Sequence, residues 1–188
     1  MEKELKGKGE GAHLIRTLSE ARRQIALSLL LFVLAGIIGA LNPQIGDAAL
    51  TTFADVVREF LGKSTPDLIL SIFLRNATAA ATALFLGIFF GIVPVAAIAF
   101  NGVLFGAVLR LMPAESWRLL PHGVFELPAM FIVWGLGLWV GLWIMEAPRW
   151  ERLKGRLAAS FRVYLMLVLP LLVVAAVIEG IAAHIYRG

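Results

Sequence analysis

The 188 residues contain no cysteine. A disulfide framework, a thiolate zinc site and a thiol nucleophile are therefore excluded together. Histidine is nearly as scarce, with only His13, His122 and His184. Their separation rules out a His-x-x-x-His ligand pair, so no metal and no cofactor are expected. Charged residues make up only 16% of the chain, and Asp occurs at just three positions, Asp47, Asp55 and Asp67. All three fall outside the apolar runs, which leaves no paired-Asp arrangement for intramembrane proteolysis. There is no Gly-x-Ser-x-Gly elbow, no phosphate-binding Walker loop and no Gly-x-Gly-x-x-Gly opening a helix after a strand. The expectation is a protein that is not an enzyme.

Apolar residues account for 60% of the chain. Adding its 18 Gly gives about 70%, against roughly 45–50% for an ordinary soluble domain. Mean hydropathy is +0.85. A soluble core of this size cannot hide so much apolar surface, and the bilayer is the solvent that accepts it. The pI near 9.9 and the net charge of +4 then read as contact with anionic headgroups, not with nucleic acid.

Five apolar runs define an all-α integral membrane protein. They lie at about 25–41, 68–93, 95–112, 124–145 and 163–185, and a basic N-terminal arm or helix over 1–24 precedes a single transmembrane domain over 25–188. The first run is taken as a retained anchor, since a signal h-region is usually about 7–15 residues and no Ala-x-Ala site follows. Two amphipathic stretches complete the pattern. Ala49, Leu50, Phe53, Val56, Val57, Phe60 and Leu61 share one face after Gly46. In the segment 146–162, Trp150, Leu153, Leu157 and Phe161 oppose Arg149, Arg152, Lys154, Arg156 and Arg162. Both predict interfacial helices. Pro94 predicts a tight antiparallel hairpin between the second and third spans. Pro121 and Pro128 predict a broken fourth span whose main helix starts at Pro128. Lys and Arg near the span ends number eleven on the side of the N-terminus against five on the other. This places the N-terminus in the cytoplasm of a cell-membrane protein and the C-terminus outside.

Small residues recur every fourth position: Ala79, Ala83, Gly87 and Gly91, then Gly102 and Gly106, Gly137 and Gly141, and Ala176 and Gly180. Such stripes let helix backbones approach closely in lipid. They predict packing of the second span on the third through Gly87/Gly91 and Gly102/Gly106, with a face available for a homodimer or higher homo-oligomer. Ionisable groups inside apolar spans cost of order 2.5–3.5 kcal/mol each on lenient scales, so they face a partner or a cavity. Arg75, Glu126 and Glu179 are expected at a common depth near the outer face. Asn76 and His122 serve as further donors, His184 lies slightly further out, and Asn101 lies deeper.

The segment Pro121-His-Gly-Val-Phe-Glu-Leu-Pro128, the Gly135–Gly141 stretch, Phe100-Asn-Gly-Val-Leu-Phe-Gly106 upstream, and Arg75–Asn76 with Gly87 and Gly91 together resemble the stage II sporulation protein M family of integral membrane proteins. The resemblance implies a polytopic membrane protein and marks His122, Gly123, Glu126, Pro128, Asn101 and Gly102 as motif positions. Its namesake is a membrane scaffold that recruits cell-wall hydrolases. The reading that follows is a self-associating scaffold or recruiter with an unidentified protein partner. The alternative is a small transporter or channel that uses the Glu/His/Arg cluster for an ion or small solute.

Overall fold

In the computed structural model, described over residues 2–111 and 120–185, α1 runs without interruption from Glu2 to Leu41. Its 40 residues span roughly 60 Å, twice the ~30 Å of a bilayer core. The basic arm and the first span are thus one rod. The side chains of residues 2–9, 55–57, 120–122 and 184–185 fall outside the description.

Asn42 stops α1 and caps α2 (Pro43–Phe60), its side chain accepting a hydrogen bond from the Ile45 amide at 3.2 Å while Pro43 fills the first turn. The amphipathic α2 lays Gly46 and Ala49 inward and is tied to the fourth helix by the Asp47–Arg110 ion pair. Ser64 caps α3 (Thr65–Phe85). A three-ten turn over Leu86–Ile88 follows, and the chain reverses through Phe90 and Gly91 at φ 56° and 74°. Glycine adopts that left-handed conformation without penalty. Pro94 does not make this break. It sits in the first turn of α4 (Ile92–Leu111), where its missing N–H leaves no helical bond unmade.

Among the described residues five helices are long and apolar enough to cross a membrane, and they alternate in direction. The chain does reverse between α3 and α4, but the predicted packing of one on the other does not form, because the two barely touch. Instead α4 runs alongside α1, its neighbour in space but not in sequence. A Cβ on Gly102 would meet the Phe32 carbonyl at 2.6 Å and Ala35 at 2.7 Å, and one on Gly106 would enter the Gly36 carbonyl. Gly87 lies against Gly137 of α5, and Gly141 approaches the Gly91 amide to 2.5 Å from a Cβ position. The glycine stripes are therefore filled within one chain. The reason is geometric: a turn as tight as 89–91 splays its helices, while the parallel α1 and α4 offer two smooth surfaces.

Pro128 does not break the fourth span either. α5 continues from Leu120 to Gly141 with Pro128 inside it. The proline lacks an N–H for the Val124 carbonyl, but Val124 is 62% exposed and close to the helix start. A second three-ten turn, Leu142–Met145, leads to α6 (Arg149–Val163). The second amphipathic stretch is not a separate flat helix. α6 passes through a π-helical turn over Tyr164–Val168 into α7 (Leu169–Ile185), giving one rod. Its buried face is Leu153, Arg156, Ser160 and Val163, while Trp150 and Phe161 stay exposed. Of the apolar stripe read from the sequence, Leu153 is packed while Trp150 and Phe161 are not.

The core sits around Trp134 of α5, which stacks on Phe32 at 6.0 Å and meets Phe131 edge-on at 5.8 Å. Ser28 Oγ donates to the Phe131 carbonyl at 3.0 Å. Tyr164 Oη donates to the Ala77 carbonyl at 2.9 Å, which ties the π turn to α3.

Candidate functional site

Two polar constellations stand at opposite ends of the bundle. At the end that carries α2, Asn76 of α3 donates through Nδ2 to Glu126 Oε1 of α5 at 3.1 Å. Arg75 and Glu179 act on the same carboxyl electrostatically. Glu179 precedes Gly180 of α7, whose bare Cα admits the Ile69 side chain of α3. That close approach brings α7 to α3 at this depth. The Arg75 guanidinium lies over the Phe53 ring at 5.7 Å, so α2 also bears on the cluster.

Glu126 is the seventh residue of α5 and not at a helix start, so the helix dipole, which fades within the first turn, contributes little there. The hydrogen bond from Asn76 and the charge of Arg75 offset part of the cost of burial, while the like charge of Glu179 adds to it. Asn101 stands apart. Its Nδ2 donates to the Ala97 carbonyl of its own helix at 2.8 Å. The side chains of His122 and His184 lie outside the described residues. Among the described residues no three His, Asp or Glu gather to hold a metal ion. The cluster joins α2, α3, α5 and α7; its two carboxylates can exchange a proton or attract a cation, while the guanidinium keeps its charge and opposes a second cation.

The other constellation, Arg156 with Trp139 and Glu146, has no counterpart in the sequence pattern. Arg156 is 7% exposed. Its Nη1 donates to the Trp139 carbonyl at 2.9 Å and its Nη2 to Glu146 Oε1 at 2.6 Å, while the guanidinium lies 4.9 Å from the Trp139 ring centroid. Trp139 O is one of the last carbonyls of α5, which have no partner within their own helix. A cation there satisfies the orphan acceptor and complements the negative helix end. In the sequence pattern Arg156 groups with the solvated charges of its stretch. The available signal was its spacing from Leu153, Ser160 and Val163, which form a second stripe on the same helix.

The family profile described as Stage II sporulation protein M matches residues 25–184. The chain belongs to that family. The match takes in the second to fifth candidate spans, the first from residue 25 onward, and both constellations, so this stage II sporulation protein M relative carries Glu126 and Arg156 alike within the family region. No curated protein and no solved structure matches the chain.

Proposed function

We propose that this stage II sporulation protein M relative is a non-enzymatic membrane scaffold that presents the N-terminal end of its bundle to a protein partner. The observation behind this reading is that α1 and the α6–α7 rod are continuous and longer than a bilayer core, and lie side by side toward the N-terminal end of α1. A rigid helical pair that continues past the bilayer core, through the headgroup layer, holds a partner at a fixed distance and orientation. Its exposed surface carries Ile15 (71% exposed) and Trp150 (67% exposed) among Arg22, Arg23, Arg149 and Lys154. An exposed Trp and Ile in a basic setting suit an acidic partner. The small-residue stripes are used internally and lend no support to self-association.

A second reading, transport of a cation or proton, draws on the Asn76–Glu126 contact with Arg75 and Glu179 nearby. Glu126→Gln separates the two. Gln keeps the acceptor for Asn76 and removes the charge. Under the scaffold reading, a photo-crosslinker at Trp150 gives the same discrete partner product in native membranes with and without the substitution. Under the transport reading the substitution abolishes solute flux in vesicles, and that loss would replace the scaffold reading.

In this proposal the N-terminal end faces the cytoplasm of the cell membrane. The chain has no native cysteine, so single cysteines at Lys63 and Lys154 report topology directly. Lys63 is expected to label from outside and Lys154 from inside. Labelling of both from one side rejects the orientation.

A further inference from the structure

Between α1 and α6, where α5 ends, a cavity of about 470 Å³ opens at the N-terminal end of the bundle. Its charges are unequally committed. On the α1 wall, Arg16 bonds Glu20 at 2.9 Å with its side chain 76% exposed. On the α6 wall, Glu146 holds Arg156 at 2.6 Å but Arg152 only at 3.7 Å. Glu151 lines the same space and makes no ion pair among the described residues. Adjacent positions of one helix therefore offer a free carboxylate and a loosely held guanidinium, with a second exposed arginine across the gap.

Gly155, one turn further along α6, also lines the cavity, and a Cβ placed on it meets nothing within 4 Å. The glycine leaves usable space, unlike those that admit a neighbouring backbone. Beneath the lining, one turn on from Arg156 and from Glu20 along the same two helices, Ser160 Oγ and Gln24 Oε1 are buried without a hydrogen-bond partner and do not line the cavity themselves. Native interiors rarely leave such atoms unpaired.

We propose that this cavity binds an ammonium–phosphate zwitterion, the headgroup of an aminophospholipid. The phosphate lies between Arg16 and Arg152, whose guanidinium forks match phosphate oxygens, and the ammonium lies on Glu151. A simple anion leaves Glu151 facing it, and a simple cation faces Arg152. Only a ligand of both signs satisfies both groups. The depth fits a lipid. Trp139, near the last turn of α5, forms part of the lining, and Trp143 and Trp150 pack at 5.4 Å beside the same helix end, in the manner of aromatic residues at a headgroup layer.

The test is native mass spectrometry of the full chain in detergent carrying equimolar phosphatidylethanolamine, phosphatidylglycerol and phosphatidylcholine. The ethanolamine lipid is expected to be retained roughly fivefold or more over the others, as loss of one charged hydrogen bond implies. Gly155→Leu fills the cavity without meeting the fold. It is expected to leave the melting temperature unchanged or higher while lowering retention roughly tenfold. Glu151→Gln is expected to abolish the preference for ethanolamine over glycerol headgroups. Equal retention of all three lipids overturns the proposal, as does full retention by a folded Gly155→Leu. Displacement of the lipid by an equimolar amount of free phosphoethanolamine overturns the lipid source.

Discussion

Gly106→Leu is expected to leave little or no folded protein in detergent. A Cβ at this position enters the Gly36 carbonyl and comes within 3.0 Å of the Ala40 amide. Both obstacles are backbone of α1, so no rotamer change relieves them. Overpacking ordinarily costs about 1–3 kcal/mol, but here α4 has to move away from α1 along the whole glycine stripe. A loss above about 3 kcal/mol is expected, at or beyond the upper end of that range. Gly102→Leu should behave alike, since its Cβ meets Phe32 and Ala35 of the same helix. Gly11→Leu is the control, because nothing lies within 4 Å of its Cβ. Thermal unfolding in one detergent compares the three. A Gly106→Leu protein that melts with the wild type would remove the α1–α4 contact from the account of stability.

The second large effect is expected from Arg156→Ala. It leaves the Trp139 carbonyl without a partner and strips Glu146 of its closest cation. Breaking a buried pair costs about 3–5 kcal/mol, but the Glu146 side chain is 44% exposed and regains water. The expected loss is thus about 2–3 kcal/mol, reduced for that screening. Arg156→Lys retains the charge but not the fork, and should recover less than half of it. Glu146→Gln combined with Arg156→Ala should cost clearly less than the two single changes added together, since both act on one interaction. Additive losses would mean that Arg156 stabilises through the Trp139 carbonyl and ring alone.

The span count was legible because an apolar run long enough to cross a bilayer needs no tertiary information. Asn76 and Glu126 were marked by cost, since ionisable and amide groups in apolar runs stand out wherever the fold takes them. What the sequence withheld was pairing. Every stripe of small residues looks alike, and nothing local says that Gly102 meets Phe32 when α3 is nearer in the chain. Proline was misleading in two places for one reason. Pro94 and Pro128 occupy positions where the carbonyl they cannot serve is near a helix end, so helix continuity survives. Arg156 looked like a solvated charge because its acceptor is a backbone carbonyl of another helix, and such acceptors have no signature in side-chain pattern.

The partnership of α1 with α4 also bears on biosynthesis. Gly36 and Gly106 touch through backbone, yet the ribosome makes the second of them roughly 4–14 s after the first at ordinary elongation rates. During that interval α2 and α3 emerge, and neither supplies the surface that α1 is shaped to receive. The nascent first helix therefore waits in the bilayer or its insertion machinery with an unmatched seam. Chains released before α4 is complete carry that seam as a substrate for quality control, so assembly of this protein is timed by its third span and not by its first.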